Sequence, residues 1–174
     1  MDNWHVIRVW TGREKFCANE IRSYNEGGNI KNMIIFVPTK ESVFKGEKEI
    51  ELMFPSYVFV ETPMDAFDFL DYFDKFRRLR RNFMQVLSYG DSGEIALRRE
   101  EKLFLKELVD DEWCVKFSKG FKDGGTVTVV SGALMGCEAQ IRKIDRHKMT
   151  AWVELEMLGR VGRVEVGLEV VTKI

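Results

Sequence analysis

Eight of the chain's 14 glycines fall between residues 120 and 174, at positions 120, 124, 125, 132, 136, 159, 162 and 167. A glycine in a helix interior costs about 1 kcal/mol relative to alanine, so this third of the chain resists an all-helical state. The stretch is also rich in valine and threonine, and it reads as short strands over 126–130, 138–144, 151–157 and 163–166. Short strands at such spacing, separated by glycine turns, predict a small β-barrel over 122–174.

The first two-thirds alternate in period instead. Residues 4–10 read as a strand, and Thr11-Gly12-Arg13-Glu14 matches a capping box at a helix start. Cys17, Ile21 and Tyr24 follow at helical spacing, and Gly27-Gly28 ends that helix. Residues 33–37, closed by Pro38, form a further strand, and the charged stretch 40–51 reads as an exposed hairpin or loop. A strand over 57–60 leads to Thr62-Pro63-Met64-Asp65, a second helix start. The helix after it places Phe67, Leu70, Phe73 and Arg77 on neighbouring turns, with Phe69, Tyr72, Phe76 and Leu79 widening the apolar face. A strand over 83–87, a turn cluster at Tyr89 to Gly93 and a helix over 97–109, with Leu105, Leu108 and Val109 inward, complete the pattern. The fold class expected is α+β, with helices on one face of a sheet over 1–110, a linker over 111–121 and the barrel over 122–174.

Several function classes are excluded by chemistry. No apolar run approaches the ~20 residues that span a bilayer, and the N-terminal residues carry no secretion signal, so no membrane partner and a cytoplasmic location are expected. Cys17, Cys114 and Cys137 are far apart and odd in number, which supports neither a zinc site nor a disulfide framework. His5 and His147 have no nucleophile or carboxylate at a recognised spacing, and Gly124-Gly125 lacks the Gly-Lys-Ser/Thr of a phosphate loop. No catalytic residue, metal or cofactor is therefore assigned, and the chain is not read as an enzyme. Net charge is −1, with 18 basic and 21 acidic residues in 1–118 and 9 basic and 7 acidic in 119–174.

Two ordered blocks carry a resemblance. Trp4, Gly12 with Glu14, Val37-Pro38-Thr39 and above all Phe54-Pro55-Ser56-Tyr57-Val58-Phe59-Val60 resemble the N-terminal (NGN) domain of the NusG family of transcription elongation factors. Residues 125–132, Gly136, 144–148, Gly159-Arg160 and 164–166 resemble its KOW motif. The resemblance implies an NGN α/β sandwich followed by an SH3-like KOW barrel. It also implies a monomeric protein whose N-terminal domain grips the clamp helices of the largest subunit of RNA polymerase, through Trp4, Phe54, Pro55, Tyr57 and Phe59. A coiled coil seats naturally in an apolar groove; the alternative for these rings is a place in the core.

The sequence departs from the housekeeping pattern where the family's Phe-Gly-Arg-Ala-Thr-Pro stretch, which binds a ribosomal protein, reads Leu158-Gly159-Arg160-Val161-Gly162-Arg163. Residues 87–95 are instead similar to the specialised LoaP branch, whose members act in processive antitermination and bind an RNA hairpin through the KOW domain. On that reading Arg142, Lys143, Arg146, His147, Lys148, Arg160 and Arg163 contact a nascent RNA hairpin beside a partly exposed Trp152; the bland alternative is pairing with Glu154 and Glu156. The run Lys75, Arg77, Arg78, Arg80 and Arg81 is either a solvated helix end or a contact with upstream or non-template DNA phosphates. A housekeeping NusG role and a stand-alone KOW RNA-binding protein are the competing functions.

Overall fold

Antiparallel pairing of two apolar strands, 3–9 and 57–62, organises the first part of the computed structural model, which describes residues 2–26, 32–78 and 80–172. The elements in chain order begin with β1 (Asn3–Val9), α1 (Glu14–Glu26), β2 (Ile34–Phe36), β3 (Thr39–Phe44) and β4 (Glu47–Leu52). Next come β5 (Tyr57–Thr62), α2 (Ala66–Arg77), β6 (Phe83–Val86), α3 (Arg99–Leu108) and β7 (Cys114–Val115). The remainder is β8 (Ser118–Asp123), β9 (Thr126–Ser131), β10 (Ile141–Asp145), β11 (Thr150–Met157) and β12 (Arg160–Thr172). The chain groups into two compact units, Met1–Val37 with Phe54–Lys102, and Pro38–Met53 with Leu103–Ile174.

In the first unit a four-stranded sheet runs in the order β2-β5-β1-β6. Strand side chains alternate between faces, so Ile7, Val9, Ile35, Val58 and Val60 point one way, onto Cys17, Ala18 and Ile21 of α1 and Phe69, Phe73 and Phe76 of α2. The buried stripe of α2 is thus 69/73/76, while Phe67 and Leu70, read from sequence as part of one wide apolar face with them, are 79% and 43% exposed. The reason is local: Asp65 caps the helix by accepting the Asp68 N–H at 2.9 Å. That cap fixes the helix phase, and the 69/73/76 triplet meets the sheet with three large rings where the 67/70 register offers two side chains. Leu79 and the Gly27-Gly28 helix end lie outside the described residues. His5 sits on the same face, fully buried, stacked on Phe69 at 4.1 Å, with Nδ1 3.3 Å from the Ile95 carbonyl. Burial lowers its pKa, so it is a neutral core residue.

In the second unit a five-stranded sheet runs in the order β10-β11-β12-β8-β9. The expected β character of this region holds, except that Glu138–Gln140, expected to open a strand, form a 3-10 turn ahead of β10. Residues 118–121, read from sequence as the end of a linker, belong to strand β8, which pairs in parallel with β12 from Leu168↔Ser118 to Thr172↔Lys122. Lys116, Lys119 and Lys122 make the segment read as polar, yet Val115, Ser118 and Gly120 alternate inward between them. Gly120 is required there: a Cβ on it would stand 2.6 Å from the Thr128 carbonyl oxygen.

The 40–51 stretch, expected as an exposed hairpin or loop, is a hairpin, β3–β4, turning at Lys45 and Gly46, both in the left-handed region. It belongs with the second unit. β3 pairs in parallel with β7, Glu41 accepts the Phe117 N–H at 2.8 Å, and the Lys40 ammonium donates to the Glu165 carbonyl at 2.6 Å. Gly167 makes the close approach of hairpin and barrel sheet feasible, because a Cβ there would lie 2.3 Å from the Phe117 ring and 2.7 Å from the Glu41 carbonyl. Overpacking of this kind costs roughly 1–3 kcal/mol. Gly167→Ala is therefore expected to lower the melting temperature of the second unit and to raise amide exchange in 39–44, whereas Gly162→Ala, which meets nothing within 4 Å, leaves both unchanged.

Candidate functional site

Three groups of side chains were singled out by sequence, and the fold treats each differently. The first surrounds the turn between β4 and β5. Phe54 O accepts the Tyr57 N–H at 3.3 Å, with Pro55 in the second place and Ser56 at φ 73° in the third. That is the pattern of a type II turn, which prefers glycine at its third position. Ser56 is held there by three bonds. Its N–H donates to Glu14 Oε1 at 2.6 Å, its carbonyl accepts the Val9 N–H at 2.8 Å, and its hydroxyl pairs with that of Thr11 at 2.6 Å. Glu14 also takes the Gly12 N–H at 3.1 Å and is 2% exposed. The expected capping box is thereby altered: the Thr11 hydroxyl faces Ser56 instead of the helix, because the Phe54–Tyr57 turn offers it a fixed partner.

On the sheet face away from the helices, Trp4, Phe36, Phe59 and Phe54 form a chain of rings with centroid separations of 4.9, 5.4 and 5.6 Å. Trp4 and Phe59 are 0% exposed and Phe54 is 9% exposed. Of the five residues assigned to polymerase contact, only Pro55, exposed, and Tyr57, half-buried, reach the surface. The aromatic groove expected from sequence is filled by its own rings, and Trp4, Phe54 and Phe59 support the turn from beneath. Sequence reasoning missed Trp10. It was read as a strand residue, but β1 ends at Val9, and the Thr11-Gly12 turn leaves the indole 58% exposed.

The second group is the basic run after α2. Lys75 pairs with Asp71, Arg77 and Arg78 both pair with Asp74, and Arg80 lies 3.5 Å from Glu20 and 4.7 Å over the Phe76 ring. These bonds hold the Asp74 carboxyl below its ordinary value, the Arg77 and Arg78 hydrogen bonds leading. Arg81 is exposed and has no ion-pair partner among the described residues.

The third group is the cations of the barrel sheet. Asp145 Oδ1 accepts the N–H groups of His147 and Lys148 at 3.1 and 3.0 Å, closing the β10–β11 turn and turning both side chains outward. Lys143 stands across from Trp152, which is half-buried as its alternation with Val153 and Leu155 predicts. Arg142 and Arg163 converge on Glu154 at 3.0 and 3.9 Å, so for these two the neutral-face alternative is what the fold adopts. Arg146 donates to the Thr172 hydroxyl at 2.7 Å. Arg160 lies beyond the Leu158-Gly159 turn, at the other end of β11, and Leu158 is 9% exposed. The seven steps from Thr150 to Met157 span about 23 Å at ~3.3 Å each, so the eight residues do not form one cluster. Lys143, His147, Lys148 and Trp152 group around the β10–β11 turn, with Arg146 tied beside them.

The family model described as "Transcription termination factor nusG" matches residues 2–103. The chain belongs to the NusG family. The "Transcription termination/antitermination protein NusG" of Lactococcus lactis is 28% identical over 98% of this chain and 92% of its own length. The protein of the same name from Streptococcus pyogenes is 27% identical over 95% of this chain and 92% of its own. A solved structure, "Domain interaction in Thermotoga maritima NusG", superposes with a TM-score of 0.55 at 24% identity, covering 97% of this chain and 94% of that one, a likeness of fold. Within this NusG-family chain, the FPxY turn is thus tied to α1 by a buried carboxylate.

Burial pushes the Glu14 carboxyl up, but the Ser56 and Gly12 N–H groups outweigh it, and its pKa lies below the ordinary 4.5. A depressed carboxylate contributes stability above its unfolded pKa and loses it as pH falls through the lower folded value. Glu14→Ala leaves two N–H groups without their acceptor, at about 1–3 kcal/mol each if they stay buried. The stability difference between wild type and Glu14→Gln, followed by thermal melts, is expected to be full at neutral pH and to shrink as pH falls below 4.5. A difference independent of pH would refute the charge-assisted role.

Proposed function

We propose that this NusG-family chain is a specialised transcription elongation and antitermination factor, working as a cytoplasmic monomer. It engages the polymerase clamp helices through the surface around Pro55 and Tyr57 and an RNA hairpin through its KOW barrel. The observation that carries the RNA half is the β10–β11 turn: Lys143, His147 and Lys148 are exposed and form no close ion pair among the described residues, the Asp145 carboxylate near His147 and Lys148 being hydrogen-bonded to their backbone N–H groups, beside a half-buried Trp152. Cations free to meet phosphates and a flat ring free to stack are the elements by which proteins take hold of unpaired RNA. The Leu158-to-Arg163 stretch, without aromatic anchor or proline, supports a role other than coupling to a ribosomal protein. Near-full-length alignment with relatives named termination/antitermination proteins supports a housekeeping role as the second reading. The family match over 2–103 weighs against a stand-alone RNA binder.

The deciding experiment is a termination assay with purified polymerase, the full chain, and templates with and without a leader hairpin. Leader-dependent read-through is expected, with Lys148→Ala and Lys143→Ala each weakening hairpin binding and lowering the salt slope of its affinity by about one unit. Tyr57→Ala is expected to weaken polymerase binding by ~2 kcal/mol with an unchanged melt. Read-through equal on both templates, with unchanged salt slopes, would favour the housekeeping reading.

A further inference from the structure

Three side chains stand in one row across the outer face of the barrel sheet. Trp152 of β11 lies opposite Lys143 of β10 on one side and Glu165 of β12 on the other. Ala151, Val153 and Val166 are buried, so the residues that alternate with them face outward. Lys143 is exposed, and Trp152 and Glu165 are half-buried. The Thr150 hydroxyl donates to Glu165 Oε1 at 2.7 Å, which sets the direction of the carboxylate and leaves Oε2 without a donor among the described residues. Glu165 forms no close ion pair among them either: the Lys40 ammonium that reaches its backbone carbonyl at 2.6 Å has Glu51 as ion-pair partner at 3.8 Å. The row is bounded in both directions along the strands. On one side Glu154 holds Arg142 and Arg163. On the other the hairpin backbone lies over Gly167, where a Cβ would stand 2.7 Å from the Glu41 carbonyl oxygen.

A surface that only gathered phosphates would be weakened by a carboxylate beside its aromatic ring. We infer that this row reads one unpaired base of the RNA and that the base is guanine, with a phosphate at Lys143, the base stacked on Trp152 and its Watson–Crick edge on Glu165. The inference rests on the RNA reading of the barrel turn proposed above and adds the residue that sets its base preference. Unpaired bases are read by stacking together with hydrogen bonds to that edge, and an ionised carboxylate only accepts. Guanine presents two adjacent donors there, N1–H and the N2 amino group, which the two carboxylate oxygens take together. Uracil presents one donor between two carbonyls that the carboxylate repels. Adenine and cytosine each present one amino group beside a ring nitrogen that accepts. Neighbouring strands lie about 4.8 Å apart, so the backbones at Lys143 and Glu165 are separated by about 10 Å across the indole, which leaves room for one nucleotide laid over the ring. The plain alternative is that Glu165 serves the sheet alone, as the acceptor of the Thr150 hydroxyl, and is indifferent to base identity.

The test titrates the full chain, by fluorescence anisotropy, with RNA stem-loops that share one stem and a short all-uridine loop, the central loop base being left as uridine or changed to guanine, adenine or cytosine. The guanine loop is expected to bind about tenfold more tightly than the other three. Glu165→Gln keeps an acceptor for Thr150 but turns an amino group toward the base. It is expected to bring the four loops within about twofold of one another, to bind the all-uridine loop no more weakly than wild type does, and to melt like wild type. Thr150→Val, which removes the donor that orients the carboxylate, is expected to reduce the guanine preference without weakening the all-uridine loop. Trp152→Ala is expected to weaken all four loops by about tenfold or more, and Trp152→Phe to restore most of that binding. The inference is overturned if wild type binds the four loops alike or prefers another base, or if the guanine preference survives both Glu165→Gln and Thr150→Val. In those cases stem-loop binding whose salt slope falls in Lys143→Ala and Lys148→Ala leaves the RNA reading of the barrel standing. If no stem-loop binds, both are overturned.

Discussion

A single buried carboxylate sets the arrangement of the first unit. Glu14 begins α1 yet spends its charge on the N–H groups of Gly12 and Ser56, 42 positions apart in the second case. Through Ser56 it fixes the turn that delivers Tyr57 into register opposite Arg8. A slip of one residue in that pairing would exchange the two faces of β5, sending Val58 and Val60 away from the helices and Phe59 into them. The bond therefore determines which side chains form the core and which form the ring chain of Trp4, Phe36, Phe59 and Phe54. It also explains how a serine occupies a left-handed position: the hydrogen bonds of its amide, carbonyl and hydroxyl offset backbone strain of order 1 kcal/mol.

In the second unit the governing effect is local pairing of charge. Glu154 draws Arg142 and Arg163 to itself, and exposed pairs of this kind contribute little stability. Their effect is on the surface: they neutralise the middle of the sheet and leave the β10–β11 turn cationic. Asp145 has a related role, since its carboxyl is committed to the backbone of the turn, the Lys148 N–H leading, and is held below its ordinary value. It shapes the turn through hydrogen bonds to the backbone, with the His147 and Lys148 charges adding to its low pKa. Both groups act through short sequence separation or strand register, which is why charge counts over whole segments did not locate the cationic site.

The reading from sequence and the structure differ where the side-chain pattern admits two phases or two fates. α2 offered two overlapping apolar stripes, and only the cap and the sheet selected 69/73/76. The segment 118–123 alternated lysine with small or aromatic residues, and pairing with the end of β12 made it a strand. The aromatics at 4, 54 and 59 were read as a groove, because sequence shows that a face is apolar but not whether its own rings fill it. Trp10 went unnoticed because a tryptophan at a strand end reads as core until the strand is seen to stop at Val9.

By itself the sequence determined the main element types, the order of an α/β unit and a β-barrel, the β character of the glycine-rich third, the exposed character of 40–51 and the resemblance to the NusG family. These rest on periodicity, glycine and turn chemistry and ordered motifs, all of which act over a few residues. The tertiary structure decided that the 39–52 hairpin groups with the barrel sheet and that Trp4, Phe54 and Phe59 are buried. It also decided which cations are neutralised and that Trp10 stands in solvent among unpaired arginines. Those outcomes depend on strand register and on pairings between residues as distant as Lys40 and Glu165, and such pairings exist only once the chain has closed on itself.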